Sequence, residues 1–98
     1  MSNDKLVVVA TSVAKPGKEE EVKAALLALI PTTRKEKGFI QYDLHQCHEN
    51  PRKFVFYEIW EDAASLALHA GTDIMANHKK KVADLLESNE VLTYRRIG

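Results

Sequence analysis

Glu58, Trp60 and His69 fall within one stretch, Phe54 to His69, that runs from an aromatic strand pattern through a turn at Asp62 into a short helix. A carboxylate, an indole and an imidazole so close together suit an apolar pocket with a titratable group in it. Side chains of a strand alternate, so Phe54, Phe56, Glu58 and Trp60 share one face. Three aromatics around one carboxylate can stack a flat ligand while Glu58 orients a polar group or a base. The same four residues also fit an ordinary core in which Glu58 is a paired structural acceptor. Histidine is the side-chain type that usually titrates nearest neutral pH, which makes His69 the natural general base; the plainer reading is a histidine favoured by the C-terminal end of its helix. His78, on the apolar stripe of the next helix, carries the same two readings.

Other chemistries find little support. On a strand, His45 and Cys47 share a face and His48 points away, so no three-ligand metal set forms. Lys79-Lys80-Lys81 reads as a solvated helix face. The chain has no glycine-rich phosphate loop, GxSxG elbow or HExxH pair, so no flavin, nicotinamide or other cofactor is expected.

The elements that must position these residues follow from pattern. Ninety-eight residues, 45% hydrophobic and 29% charged, make one soluble globular domain. Fourteen basic residues balance fourteen acidic ones, which gives no field to attract nucleic acid or an anionic membrane. One cysteine, a polar start and no long apolar run predict a cytoplasmic protein without a signal peptide or membrane span.

Lys5 to Val13 is apolar on both alternating sets, a strand buried on both faces. Pro16-Gly17 turns into a helix from Lys18 to about Lys37, with Val22, Leu26, Leu29 and Thr33 on one stripe, Pro31 as a kink and Gly38 as the stop. Phe39 to Cys47 alternates as a half-buried strand. Asn50-Pro51 turns into a strand from Lys53 to Trp60. Asp62 caps a helix to about Ala70, and a further helix spans Ile74 to Glu87 with Ile74, His78, Val82 and Leu85 on its stripe. A last strand covers Val91 to Ile97, with Arg95 and Arg96 on outer positions.

The order strand, helix, strand, strand, helix, strand is a split βαβ, ferredoxin-like α+β plan with a four-stranded antiparallel sheet. Its helices cover one face only. Val55, Tyr57 and Ile59, with alternate residues of the first strand, would leave a second apolar face in water, and a symmetric homodimer packing two sheets together would cover it.

Beyond these features, the chain resembles the antibiotic biosynthesis monooxygenase domain, a dimeric α+β barrel family. The resemblance spans nearly the whole chain. It rests on Pro16-Gly17, on Arg34-Lys35-Glu36-Lys37-Gly38 followed by Tyr42, and above all on Phe56-Tyr57-Glu58-Ile59-Trp60-Glu61-Asp62 followed by Leu68-His69 and Thr72. Within the family it is similar to small quinol monooxygenases. The resemblance implies a pocket between sheet and helices holding Trp60, Phe56 and His69 with Glu58 on the same face. It also implies a small aromatic substrate and molecular oxygen as partners, without metal or flavin. Where many relatives carry a second histidine, this chain has Ile74, with His78 one helical turn beyond. Ala10, where haem-degrading relatives carry asparagine, argues against haem.

The leading expectation is a cofactor-independent monooxygenase of a quinol or polyphenol. Trp60 and Phe56 stack the ring, with Phe54 and His78 completing the binding set, His69 takes the hydroxyl proton, and Glu58 orients or charge-balances His69. An isomerase using the same base, acting on a small signalling metabolite, is an alternative. A non-catalytic dimeric binding module is another, favoured by the missing second histidine.

Overall fold

The computed structural model describes residues 5–98. The chain runs as β1 (Leu6–Ala14), α1 (Glu19–Leu27), α2 (Ile30–Thr33), β2 (Phe39–Gln46), β3 (Lys53–Trp60), α3 (Ala63–Ala70), α4 (Asp73–Val82) and β4 (Leu86–Tyr94). The strands form one antiparallel sheet in the order β2-β3-β1-β4. This is the ferredoxin-like α+β plan expected from the element order, with β1 and β3 in the middle.

Register sorts the side chains into two faces. On the inner face Val8 lies opposite Glu58, Ala10 opposite Phe56 and Ser12 opposite Phe54. Tyr42 and Leu44 of β2 continue that face beside Glu58 and Phe56. Helices cover this side: Val22, Leu26 and Leu29 join Val8, Tyr42, Phe54, Phe56 and Trp60 in the buried core. The outer face pairs Val7 with Ile59 and Val9 with Tyr57, and continues into Leu92 and Tyr94 of β4. Tyr57, Leu92 and Tyr94 are 36%, 44% and 47% exposed, so this side of the sheet is bare in the single chain. Among the described residues no helix is long and apolar enough to cross a membrane.

Several features of the elements differ from those expected. The first helix breaks at Ala28 and Leu29 instead of running through to Lys37. Pro31 has no N–H to return to the Leu27 carbonyl, and it sits in the first turn of α2, where that donor is not needed. The stripe survives the break, since Val22, Leu26, Leu29 and Thr33 are all buried. Next, α4 stops at Val82 and not Glu87, and β4 starts at Leu86 and not Val91. Leu86 and Ser88 pair with Ala14 and Val13 across a bulge, so hydrogen bonding to the free edge of β1 overrides the weak strand propensity of Glu87-Ser88-Asn89. Arg95 and Arg96 follow the strand and are not part of it. Finally, Ile74 is 40% exposed; the packed side of α4 is Met75, His78 and Val82.

Gly38 holds α3 close to the loop before β2. Its φ is +83°, a left-handed conformation that glycine adopts without strain. A Cβ there would collide with Ser65 in the first turn of α3, and the Gly38 carbonyl accepts from the Glu61 N–H at 2.8 Å. Asp62 caps α3 as expected, accepting from the Ser65 N–H at 2.8 Å. Gly38→Ala combines positive-φ strain with overpacking and should cost about 2–4 kcal/mol. Urea unfolding checks this; a loss under about 0.5 kcal/mol would show that the contact yields freely.

Candidate functional site

The strand β3 delivers its four inner-face side chains as the alternation requires: Phe54, Phe56, Glu58 and Trp60 are all buried. They do not all do the same work. Phe56 lies against Tyr42 in a stacked pair, ring centroids 4.2 Å apart and planes 19° apart, and both rings face a cavity of about 410 Å³ between sheet and helices. Trp60 is fully buried behind that wall and does not border the cavity. The expectation sets Trp60 against a ligand; in the structure the rings of Tyr42 and His69 border the cavity beside it, and the indole does not reach the lining. Phe54 is likewise core and not lining.

The indole instead holds two polar groups. Its Nε1–H donates to Glu58 Oε1 at 2.9 Å, and its ring lies 4.7 Å from the His69 imidazole at a 32° tilt. His69, at the end of α3, also meets the Tyr42 ring edge-on at 5.6 Å. The capped start of α3 and the Gly38 contact at its first turn thus set where this imidazole stands.

The carboxylate bonded to His69 is not Glu58. His69 Nδ1 lies 2.7 Å from Glu36 Oε1, with side chains 5% and 19% exposed. Glu58 accepts the Trp60 N–H and makes no direct hydrogen bond to the imidazole, though it interacts with it electrostatically. Spacing hides this partner, since 33 residues separate Glu36 from His69. A carboxylate acceptor at Nδ1 fixes the tautomer with the proton on that nitrogen and leaves the Nε2 lone pair free. Nε2 makes no hydrogen bond to another side chain or to the backbone among the described residues. On the outer side, His69 and Glu36 also border a shallow pocket of about 130 Å³ shared with Lys37, Ser65 and Thr72. The imidazole thus stands between the inner cavity and the surface.

Electrostatics single out the same groups. Burial, with Glu36 adding to it, pushes the Glu58 carboxyl above the ordinary glutamate range, against the opposing pull of the Trp60 hydrogen bond and of His69. Burial and then Glu58 push the Tyr42 phenol up as well. Half-buried His78 borders the cavity from α4, and burial followed by Lys81 lowers it, which favours the neutral ring. The cavity thus has an apolar wall, an imidazole at its border, and a carboxyl biased toward holding its proton. That set can remove a proton from a bound hydroxyl and return one elsewhere on the ligand.

Ser12 and Asn89 also border the cavity, and neither was among the residues expected there; strand register alone could have placed Ser12 on the inner face. No group of three His, Cys, Asp or Glu among the described residues could hold a metal ion.

With this geometry in view, comparison with known proteins is informative. The family model described as antibiotic biosynthesis monooxygenase matches residues 5–81. An uncharacterised protein of Synechocystis is 32% identical over 85 residues, covering 87% of this chain; the chain spans 58% of that relative's length. A Bacillus subtilis protein whose name gives it provisionally as a monooxygenase is 31% identical over 83 residues, covering 85% of this chain and 87% of that protein. A crystal structure of a Shewanella oneidensis protein superposes with a TM-score of 0.92 at 36% identity, over 97% of this chain and 93% of that one.

The raised Glu58 carboxyl has a consequence for stability. The folded chain holds this proton more tightly than the unfolded chain does, so ionising it opposes folding. Stability attributable to Glu58 is full below the ordinary glutamate range and declines as pH rises toward the raised value. Glu58→Gln still offers Trp60 an acceptor but cannot ionise. Thermal unfolding from about pH 4 to about pH 8 should show the variant gaining on the parent as pH rises. Parallel curves would place the Glu58 carboxylate at no disadvantage.

Proposed function

We propose that this chain, which belongs to the antibiotic biosynthesis monooxygenase family, is a cofactor-independent monooxygenase that oxidises a small aromatic quinol or polyphenol with molecular oxygen. The observation that carries this reading is His69: its Nδ1 lies 2.7 Å from Glu36 Oε1, and its ring borders an apolar cavity that Phe56 and Tyr42 also line. In the proposed reaction Nε2 takes the proton of a ring hydroxyl. The resulting phenolate, poor in solvation within the cavity, passes an electron to oxygen, and the two radicals join through a ring carbon–oxygen bond. Loss of water from that adduct breaks the O–O bond and leaves a carbonyl. One oxygen atom stays on the ring and the other leaves as water; the substrate supplies all four electrons, two to the oxygen that becomes water and two to the oxygen it retains.

Each side chain has a task in this scheme. Phe56, stacked with Tyr42, offers the flat surface for the ring. His69 is the base. Glu36 is a positioning residue that fixes the imidazole tautomer, and Trp60 is another, holding Glu58 and the face of His69. Glu58, which favours its protonated form, returns a proton to the departing oxygen. His78 is a neutral wall residue, and Phe54 supports the floor from the core. The unpaired Cys47 suits a reducing compartment such as the cytoplasm.

Oxygen uptake with a panel of hydroquinones tests the assignment. His69→Ala should lower kcat about 10²- to 10⁴-fold. Glu36→Gln should lower kcat about 10-fold or more with KM little changed, since it removes the charge on Nδ1 without touching the substrate surface. Binding without turnover of any member would reject the reaction in favour of a ligand-binding module, and turnover that persists without oxygen would indicate the isomerase.

The bare outer face extends the proposal to assembly. Val7, Val9, Tyr57, Ile59, Leu92 and Tyr94 present one continuous apolar surface, which two copies of the chain would bury against each other. Sedimentation at micromolar concentration should find a dimer. A single species of monomer mass would remove this part of the proposal.

A further inference from the structure

We propose that Ser12 and Asn89 form a second recognition subsite at the mouth of the cavity, taking a carbonyl or carboxylate oxygen at the end of the ligand remote from its reacting hydroxyl. This rests on the reading of the cavity as a site for an aromatic alcohol.

Ser12 is a buried hydroxyl on the inner face of β1, and its Oγ donates to Asn89 Oδ1 on β4 at 2.9 Å. Both residues border the cavity. With Oδ1 engaged, the amide of Asn89 is held against rotation and its Nδ2 group, with two donors, is the part left for a ligand. A donor held in place discriminates better than a mobile one, because its partner does not have to order it.

Strand register gives the separation. Glu58 lies opposite Val8, and Asn89 opposite Ser12, four residues further along β1. Four strand residues span about 13 Å, whereas a single ring with para oxygens covers less than two (~6.6 Å). Even with side chains reaching inward, a ligand whose hydroxyl meets His69 must be longer than one ring, or carry a substituent, to reach Asn89. Depth runs the same way. Tyr42, Glu58 and His69 are buried, whereas Asn89 and Val91 on β4 are exposed. The hydroxyl end therefore enters first and the acceptor end stays at the opening. Lys79 also borders the cavity, and a cation on its wall favours a carboxylate over a ketone.

Anaerobic titration calorimetry with three probes tests this: naphthol alone, and naphthol carrying a methyl ketone or a carboxylate at the opposite end of the ring system. The parent chain should bind the ketone at least threefold, and the carboxylate about tenfold, more tightly than plain naphthol. In Asn89→Ala the ketone's advantage should vanish while plain naphthol binds within about twofold of the parent value. Asn89→Asp keeps an acceptor for Ser12, which guards the fold, but loses the donors; it too should abolish the ketone's advantage and should weaken the carboxylate most. Equal affinities in the parent chain, or an advantage that survives Asn89→Ala, would overturn the subsite. Turnover plays no part in the readout, so a chain that binds these probes as described yet consumes no oxygen overturns the reaction and leaves the subsite standing. Failure to bind any probe would overturn both.

Discussion

An imidazole, a phenol and two carboxylates are gathered beneath the helices of a small domain, and the fold must satisfy them with few partners to spare. Each unsatisfied buried polar group costs about 1–3 kcal/mol, against a total stability of about 5–15 kcal/mol for a typical domain. Apart from Glu19 Oε1, every side-chain polar atom buried from water among the described residues has a hydrogen-bond partner. Two bonds meet most of this demand: Trp60 to Glu58, and His69 to Glu36. The first is local to β3. The second ties the end of α3 to the segment after α2, and the tight approach at Gly38 makes that tie possible.

These bonds also decide which residues border the cavity. Trp60 sits fully buried because its N–H is taken by Glu58 and its ring by His69. The wall is left to Tyr42 and Phe56, which pair by stacking. Polarity is then distributed along the inner face of β1: the Glu58 carboxyl opposite Val8, the neutral Ser12–Asn89 pair at Ser12, and small Ala10 between them.

Much of this was legible in the sequence, for a definable reason. Alternation in Phe54-Val55-Phe56-Tyr57-Glu58-Ile59-Trp60 assigns each side chain to a face, and the sheet keeps that assignment. The turn at Asn50-Pro51, the cap at Asp62 and the stop at Gly38 are local chemistry, and they lie where expected. What escaped was long-range. Glu36 lies 33 residues from His69, and nothing in the spacing of Arg34-Lys35-Glu36-Lys37 distinguishes it from a solvated helix end. The start of β4 depends on the vacant edge of β1, which no local pattern announces. Trp60 was assigned to the correct face, but whether a residue on that face is floor or wall depends on what packs over it.

Trp60 is the only tryptophan of the chain, and it lies against the imidazole while its N–H engages Glu58. Indole emission is sensitive both to a neighbouring charged imidazole and to the strength of the bond at its nitrogen. The protein thus carries an intrinsic optical probe between Glu58 and His69, screened from bulk solvent by its burial. Light emitted by this single ring follows events in the cavity directly, with no label and no need for a coloured product.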